Sequence, residues 1–240
     1  MKSCLRFALL ALPCMVQAQS QAMDAEAWAF KLTPSVYSNR NAPQATDLNL
    51  RGNLGPHALW IGQYRQSGFG EQIRTGYEYT ASPHWGQLVT SLQVAEGGFA
   101  GASLTAQFGH TIYGIAGWGR TNLRPYYNLN FDPNDAITLG LGGWWGKQHQ
   151  ISLYRIQDDR LQTGQQVTHL VWRYHPDDTH RLTVDLADKR GRSEASGPWL
   201  QGNSLALTWD WQGHFVRWAV DQKVNFSDDT QNRLSVGWRF

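Results

Sequence analysis

Cysteine is almost missing from this chain of 240 residues: the two present, Cys4 and Cys14, both lie within the first eighteen positions. Those positions have the layout of a secretory leader. Lys2 and Arg6 supply a charged start, Phe7 to Val16 a short apolar run, and Val16-Gln17-Ala18 a small-residue cleavage site. Pro13 ahead of Cys14 is wrong for the small residue that a lipidated leader needs. With 1–18 removed, no cysteine remains in 19–240, which excludes disulfide bonds and thiol catalysis. Long apolar runs are missing as well. The leader's own run is shorter than the roughly 20 residues a spanning helix needs, and nothing comparable follows it, so a helical membrane protein is excluded. Charge of either sign is also scarce: the formal excess of +2 disappears with Lys2 and Arg6, and no basic block or acidic tail suggests nucleic acid. Neither a glycine-rich phosphate loop nor a zinc-protease motif occurs, and no cofactor or metal is implied.

Aromatic residues and glycine are plentiful: 12 Trp, 9 Tyr, 9 Phe and 24 Gly. Their setting is an apolar–polar alternation with period two, the mark of a strand with two unlike faces. Ile73, Thr75, Tyr77 and Tyr79 alternate with Arg74, Gly76, Glu78 and Thr80; Leu182, Val184 and Leu186 alternate with Arg181, Thr183 and Asp185. Leu205, Leu207, Trp209 and Trp211 repeat the pattern, as do Val216, Trp218 and Val220. About fourteen candidate strands follow, near 27–38, 46–53, 57–66, 71–81, 86–95, 100–109, 111–121, 135–146, 148–157, 166–175, 179–189, 203–212, 214–225 and 232–240. Twelve is the alternative, if 46–66 or 100–121 pairs differently. Most are close to the 9–11 residues with which a tilted strand crosses a bilayer.

The final strand is the most specific. Leu234, Val236, Trp238 and Phe240 share one face, Arg233, Ser235, Gly237 and Arg239 the other. An amphipathic strand ending in phenylalanine resembles the closing strand of Gram-negative outer-membrane β-barrel proteins, and the resemblance extends along the whole chain after the leader. In size it also resembles the small YaiO-type barrels, with which only the terminal strand is shared. The resemblance implies an all-β, antiparallel up-and-down transmembrane barrel occupying 19–240 as one domain. It also implies outer-membrane lipid and lipopolysaccharide as surroundings, the barrel-assembly machinery as the reader of the last strand, and a single-copy assembly. Loop parity fits independently. With both termini periplasmic, alternate junctions are tight turns such as Gly109-His110 and Gln212-Gly213, and the long connections near 122–134, 158–165 and 191–202 all fall on the other side.

Alternation places Lys31, Arg51, Arg65, Arg74, Arg120, Arg155, Arg173, Arg181, Arg217, Lys223, Arg233 and Arg239 on the inner face, with Glu78, Asp185, Asp210 and Asp221. Such an excess of cations favours anions in a watery lumen. The expected function is therefore a passive conduit for small anionic or sugar-like solutes. The competing expectation is a closed structural barrel whose charges pair with one another. A third, lipid modification, would need catalytic groups assembled across strands, for example His169 with a neighbouring hydroxyl; no His-x-Ser pair is present, and no catalytic residue is assigned. The other seven histidines, His57, His84, His110, His149, His175, His180 and His214, sit at or beside the expected periplasmic turns. Histidine suits the headgroup level as Trp and Tyr do, or forms a ring that charges near pH 6. Only His175 and His180, around Asp177 and Asp178, are close enough along the chain to chelate. The longest loop carries Arg124, Tyr126, Tyr127 and Phe131 ahead of Asp132, Asn134 and Asp135, and is suited to fold inward as a constriction or to meet something outside. Lys189, Arg190 and Arg192 form a cluster suited to lipopolysaccharide.

Overall fold

The computed structural model describes residues 27–240 except 69 and 128–131. The expected leader, 1–18, lies outside the described residues. Fourteen strands follow one another: β1 (Ala29–Asn39), β2 (Ala45–Leu54), β3 (His57–Gln66), β4 (Gly70–Ala81), β5 (Gly86–Ala95), β6 (Phe99–Gly109), β7 (Ile112–Thr121), β8 (Ala136–Trp145), β9 (His149–Asp158), β10 (Gln166–Tyr174), β11 (His180–Gly191), β12 (Leu200–Trp211), β13 (His214–Gln222) and β14 (Thr230–Arg239). Each pairs antiparallel with its neighbours in sequence, and β1 pairs with β14, so the sheet closes into a barrel. Fourteen strands, and not the alternative twelve, is the outcome.

Closure is what makes the alternation stable. Every strand finds two partners, so no edge of unpaired N–H and C=O groups remains. The seam places Leu32 opposite Trp238 and Ser35 opposite Ser235. The Phe30 N–H donates to the Phe240 carbonyl at 2.7 Å, and the Phe240 N–H donates back to the Phe30 carbonyl at 3.0 Å. Phe240 therefore takes part in the seam through its backbone, while Leu234, Val236, Trp238 and Phe240 project from the outer wall.

The distribution of side chains is the reverse of a water-soluble protein. Leucines such as Leu92, Leu139, Leu141 and Leu153 stand exposed on the outside, Leu141 at 66%. Inside, Lys31, Arg51, Arg74, Gln87 and Asp221 are buried. An apolar wall that encircles a molecule is far larger than the few hundred Å² that soluble proteins leave open. Hydrocarbon is the solvent that suits it.

The two rims differ. One carries tight turns, such as the Gln212-Gly213 pair, where φ values of 42° and 86° give the left-handed geometry of a two-residue hairpin. The other carries the long connections, 122–135, 159–165, 192–199 and 223–229. Two boundaries depart from the alternation. β12 starts at Leu200, because Trp199 ends the loop and Leu200 pairs with Gly191. β13 stops at Gln222, because Lys223, Asn225 and Phe226 turn left-handed and form a short 3-10 segment, Val224–Phe226, that buries Val224 and Phe226.

Candidate functional site in the barrel lumen

The inner wall is built by parity. In β1, Lys31, Ser35 and Tyr37 are buried and therefore point inward; in β2, Asp47 and Arg51 do; in β4, Arg74 and Glu78. Arg173, Arg181, Asp185, Asp210, Arg217, Asp221, Arg233 and Arg239 occupy inward positions of β10 to β14.

Four residues expected inside are not there. Arg65 is on the outer face of β3, bridged to Glu71 at 3.0 Å, with Trp60 taking the inner position that alternation from Arg65 would have denied it. Arg120 shares the outer face of β7 with Trp118, lying over its ring at 4.8 Å and bridging Asp159 at 2.5 Å. Arg155 is exposed on β9 and donates to the Thr168 hydroxyl at 3.0 Å. Lys223 has left the strand for the 223–229 loop and pairs with Asp228 at 2.8 Å. Arg65, Arg120 and Arg155 all lie toward the long-loop rim, where an outward long side chain can run to the headgroups. Lys189 is the opposite case. Expected in a surface cluster, it is among the most buried side chains and pairs inside with Asp221. Arg190 points outward and donates to Gln166, and Arg192 lies over Trp199 at 5.6 Å.

Charges inside are largely paired. Arg51 bridges Glu78 at 2.7 Å, and Arg74 bridges Asp47. Asp210 holds Arg181 at 3.0 Å and Arg239 at 2.5 Å. Asp47 was legible: it lies four residues before Arg51 on the same strand and therefore shares its face.

The 122–135 connection folds into the lumen. Its foot is held by Asp135, which accepts from the Thr121 N–H at 3.1 Å and from Arg160 at 2.8 Å. One arm reaches β3, β4 and β5. Tyr127 stacks on Tyr64 with ring centres 4.5 Å apart, its N–H donates to Gln72 at 3.0 Å, and the Gln72 amide donates to the Pro125 carbonyl at 3.2 Å. Tyr126 stacks on Phe99 at 4.2 Å and donates to Gln93 at 3.3 Å. Burial pushes the Tyr126 phenol up, with Arg74 opposing. Across the lumen, Asp132 meets His169 of β10 at 3.1 Å. In a fourteen-strand ring β3 and β10 are opposite one another, so the two described parts of this strap, 122–127 and 132–135, contact opposite sides of the lumen. Phe131 lies outside the described residues. Asp132 and Asp135 turn to different partners.

His169 lies between two carboxylates. Its Nδ1 is 2.9 Å from Asp185 and its Nε2 meets Asp132, while its ring stacks on Tyr154 at 4.9 Å. The other histidines do lie at the short-turn rim, three of them in outward aromatic clusters: His57 on Tyr79 at 5.2 Å, His149 on Tyr174 at 4.9 Å and His214 near Trp211 at 6.1 Å. His110 donates to the His84 carbonyl at 3.0 Å. His175 packs on Trp144 at 5.6 Å, whereas His180 faces Asp177 at 2.9 Å, so each has a separate partner. Thr179, through its hydroxyl and N–H, holds the Asp177 carboxyl below its ordinary value.

A cavity of about 250 Å³ lies in the lumen, walled by β1 to β9, β13 and β14 and by Tyr126 and 132–134 of the connection. Hydroxyl and amide groups line much of it, among them Ser35, Asn49, Ser91 and Ser235; the cations Lys31, Arg74, Arg217 and Arg233 reach it, as do the acids Asp47, Glu78 and Asp132.

No family model matches the chain, and no curated protein matches its sequence. Solved structures do match in shape. The outer membrane protein Omp33 of Acinetobacter baumannii is similar with a TM-score of 0.57 at 9% identity, covering 89% of this chain and 98% of that one. The KdgM porin is similar with a TM-score of 0.50 at 8% identity, covering 88% and 99%. At such identities the likeness establishes a shared fold, that of the outer-membrane β-barrels.

Proposed function

We propose that this chain, with the fold of an outer-membrane barrel, works in a Gram-negative outer membrane as a passive pore for small anionic or sugar-like solutes. The observation that carries the reading is the lumen cavity, walled by hydroxyls and amides and reached by the cations Lys31, Arg74, Arg217 and Arg233 and the acids Asp47, Glu78 and Asp132. Hydroxyl and amide walls exchange hydrogen bonds with a sugar at little cost, and basic groups in a water-filled channel raise the local concentration of anions. The short-turn rim then faces the periplasm, and Leu234, Val236, Trp238 and Phe240 present the face read by the barrel-assembly machinery. Arg190 and Arg192 are placed at the long-loop rim to meet lipopolysaccharide. The barrel acts as a single copy.

A second reading has its own support. The Arg51–Glu78, Arg74–Asp47 and Lys189–Asp221 pairs, with the strap across the lumen, are what a closed structural barrel would use. One experiment separates the two. Purified protein in a planar bilayer bathed by unequal KCl concentrations is expected to give discrete steps and a reversal potential on the chloride side. A reversal potential on the potassium side contradicts the anionic solute, and a silent bilayer at high protein supports the closed barrel.

A further inference from the structure

Resting on the outer-membrane placement proposed above, we infer that the outer wall over β9 to β12 is a lipid A site, with a phosphate between Arg155 and Arg190 and the acyl chains on a row of leucines beneath them. The register carries the argument. Leu141, Leu153, Leu170, Leu186 and Leu205 are cross-strand partners in succession, so one unbroken apolar row crosses β8 to β12. Two residues nearer the long-loop rim, the next outward row runs Leu139, Arg155, Thr168, Asp188 and Asn203. It is apolar on β8 and polar on the four strands that follow. On β1 to β8 the fourth residue from the long-loop end faces outward and is apolar, as in Val36, Leu48, Ile73 and Leu92, with Gln63 of β3 the exception. On β9, β11 and β12 the same position holds Arg155, Asp188 and Asn203. The apolar belt is therefore notched over β9 to β12.

Two guanidinium groups lean toward one another in the notch, across β10. Arg155 donates through Nε to the Thr168 hydroxyl at 3.0 Å. Arg190 donates through Nε and Nη2 to the Gln166 side-chain oxygen at 3.3 and 3.0 Å. Thr168 and Gln166 are two residues apart on one strand, so they share a face. From strand spacing and rise, the two arginine Cα atoms are about 12 Å apart, and side chains that both lean onto β10 close most of that gap. Among the described residues, Arg155 gives the protein only its Nε–H, which leaves both terminal nitrogens for an anion. Asp188, opposite Thr168, is the one acid on the outward face of this half of β8 to β12, and it accepts from Gln201 at 3.4 Å. Two cations against one acid leave the notch positive. In the flanking loops Arg192 and Glu194 offset one another, while Asp159 and Arg160 are engaged by Arg120 and Asp135.

The occupant follows from charge and from height. A charge on the lipid face costs most at mid-height and least near the interface, and arginine pairs with phosphate through parallel N–H bonds. A phosphate that carries its own hydrocarbon meets the arginines and the leucine row together. With the short turns in the periplasm, the long-loop half lies in the outer leaflet, where the phosphorylated lipid is lipid A. The Thr168 hydroxyl and the Gln157 and Asn203 amides beside the arginines suit its sugar backbone.

The test is native mass spectrometry of the detergent-solubilised barrel with three probes: lipid A, lipid A stripped of its phosphates, and phosphatidylglycerol. One lipid A per barrel is expected, bound more tightly than either other probe. Arg155→Gln together with Arg190→Gln should weaken it about tenfold or more, since each arginine supplies charge-assisted hydrogen bonds. Asp188→Asn should tighten it, and Arg65→Gln, on the outer face of β3, should leave it unchanged. If the double variant does not fold, the contrast between lipid A and its dephosphorylated form on the unaltered chain carries the test. Equal binding of the dephosphorylated form or of phosphatidylglycerol, binding untouched by the double change, or a paired barrel in place of the lipid adduct overturns the site. A barrel that inserts into vesicles yet fails these contrasts loses the site and keeps the membrane placement. One that stays in solution without detergent loses both.

Discussion

Replacing Asp132 with alanine is expected to raise the ratio of strap-released to strap-seated channels about tenfold or more. The strap enters from the β7–β8 side, and its far contact among the described residues is Asp132 on His169. A hydrogen bond to a charged group contributes about 1.5–3 kcal/mol, and about 1.4 kcal/mol is a factor of ten in an equilibrium. Losing it leaves the near arm seated through the Tyr126–Phe99 and Tyr127–Tyr64 stacks, while the far arm is released into the lumen. Single-channel recording would show this as a growing share of time at a higher conductance level. Tyr126→Leu acts on the near arm and should change the lower level more than the exchange between levels. Unchanged level occupancy in Asp132→Ala would mean that the far contact does not hold the strap.

Asp47→Ala should destabilise the barrel by about 3–5 kcal/mol, the range found when a buried charge loses its partner. The Arg74 and Asp47 side chains are 4% and 5% exposed, and Arg74 also donates to the Tyr127 carbonyl at 3.4 Å. Removing the carboxylate strands a guanidinium between the wall and the strap. Replacing both residues, with Arg74→Met alongside, should cost less than the single change, because the stranded charge goes too. Urea unfolding in lipid vesicles reads both values, and the double-mutant cycle isolates the pair. A single-variant cost below about 1 kcal/mol, the scale of a solvated surface pair, would show that water reaches Arg74 and that the strap does not seal that wall.

The strand alternation was legible because a sheet with hydrocarbon on one side and water on the other punishes any slip in register. β4, with Ile73, Tyr77 and Tyr79 outward and Arg74 and Glu78 inward, is as plain in the chain as in the barrel. The same logic misplaced Arg65, Arg120 and Arg155. It assumed that every charge avoids the outer wall, which holds at mid-height but not near the rims, where guanidinium groups reach the headgroups. Lys223 was misplaced for another reason: alternation cannot show a strand ending at a residue that turns left-handed without being glycine. The strap was visible only as a long aromatic and acidic loop. Its reach to His169 depends on the curvature of a closed ring, which no local pattern encodes. Asp47 and Lys189 were within reach of parity, and with them the interior changes from a wall of excess cations to one largely of pairs.

The central claim is that one face of every strand contacts hydrocarbon and the other lines a lumen. Because the chain holds no cysteine beyond Cys14, single cysteines carrying spin labels can be placed at Leu92, Leu139 and Leu153 outside and at Ser35, Ser91 and Ser235 inside, in protein reconstituted into vesicles. Oxygen, which concentrates in lipid, should relax the first set, and a water-soluble nickel complex the second. A nickel response equally strong at Leu92, Leu139 and Leu153 would contradict the account.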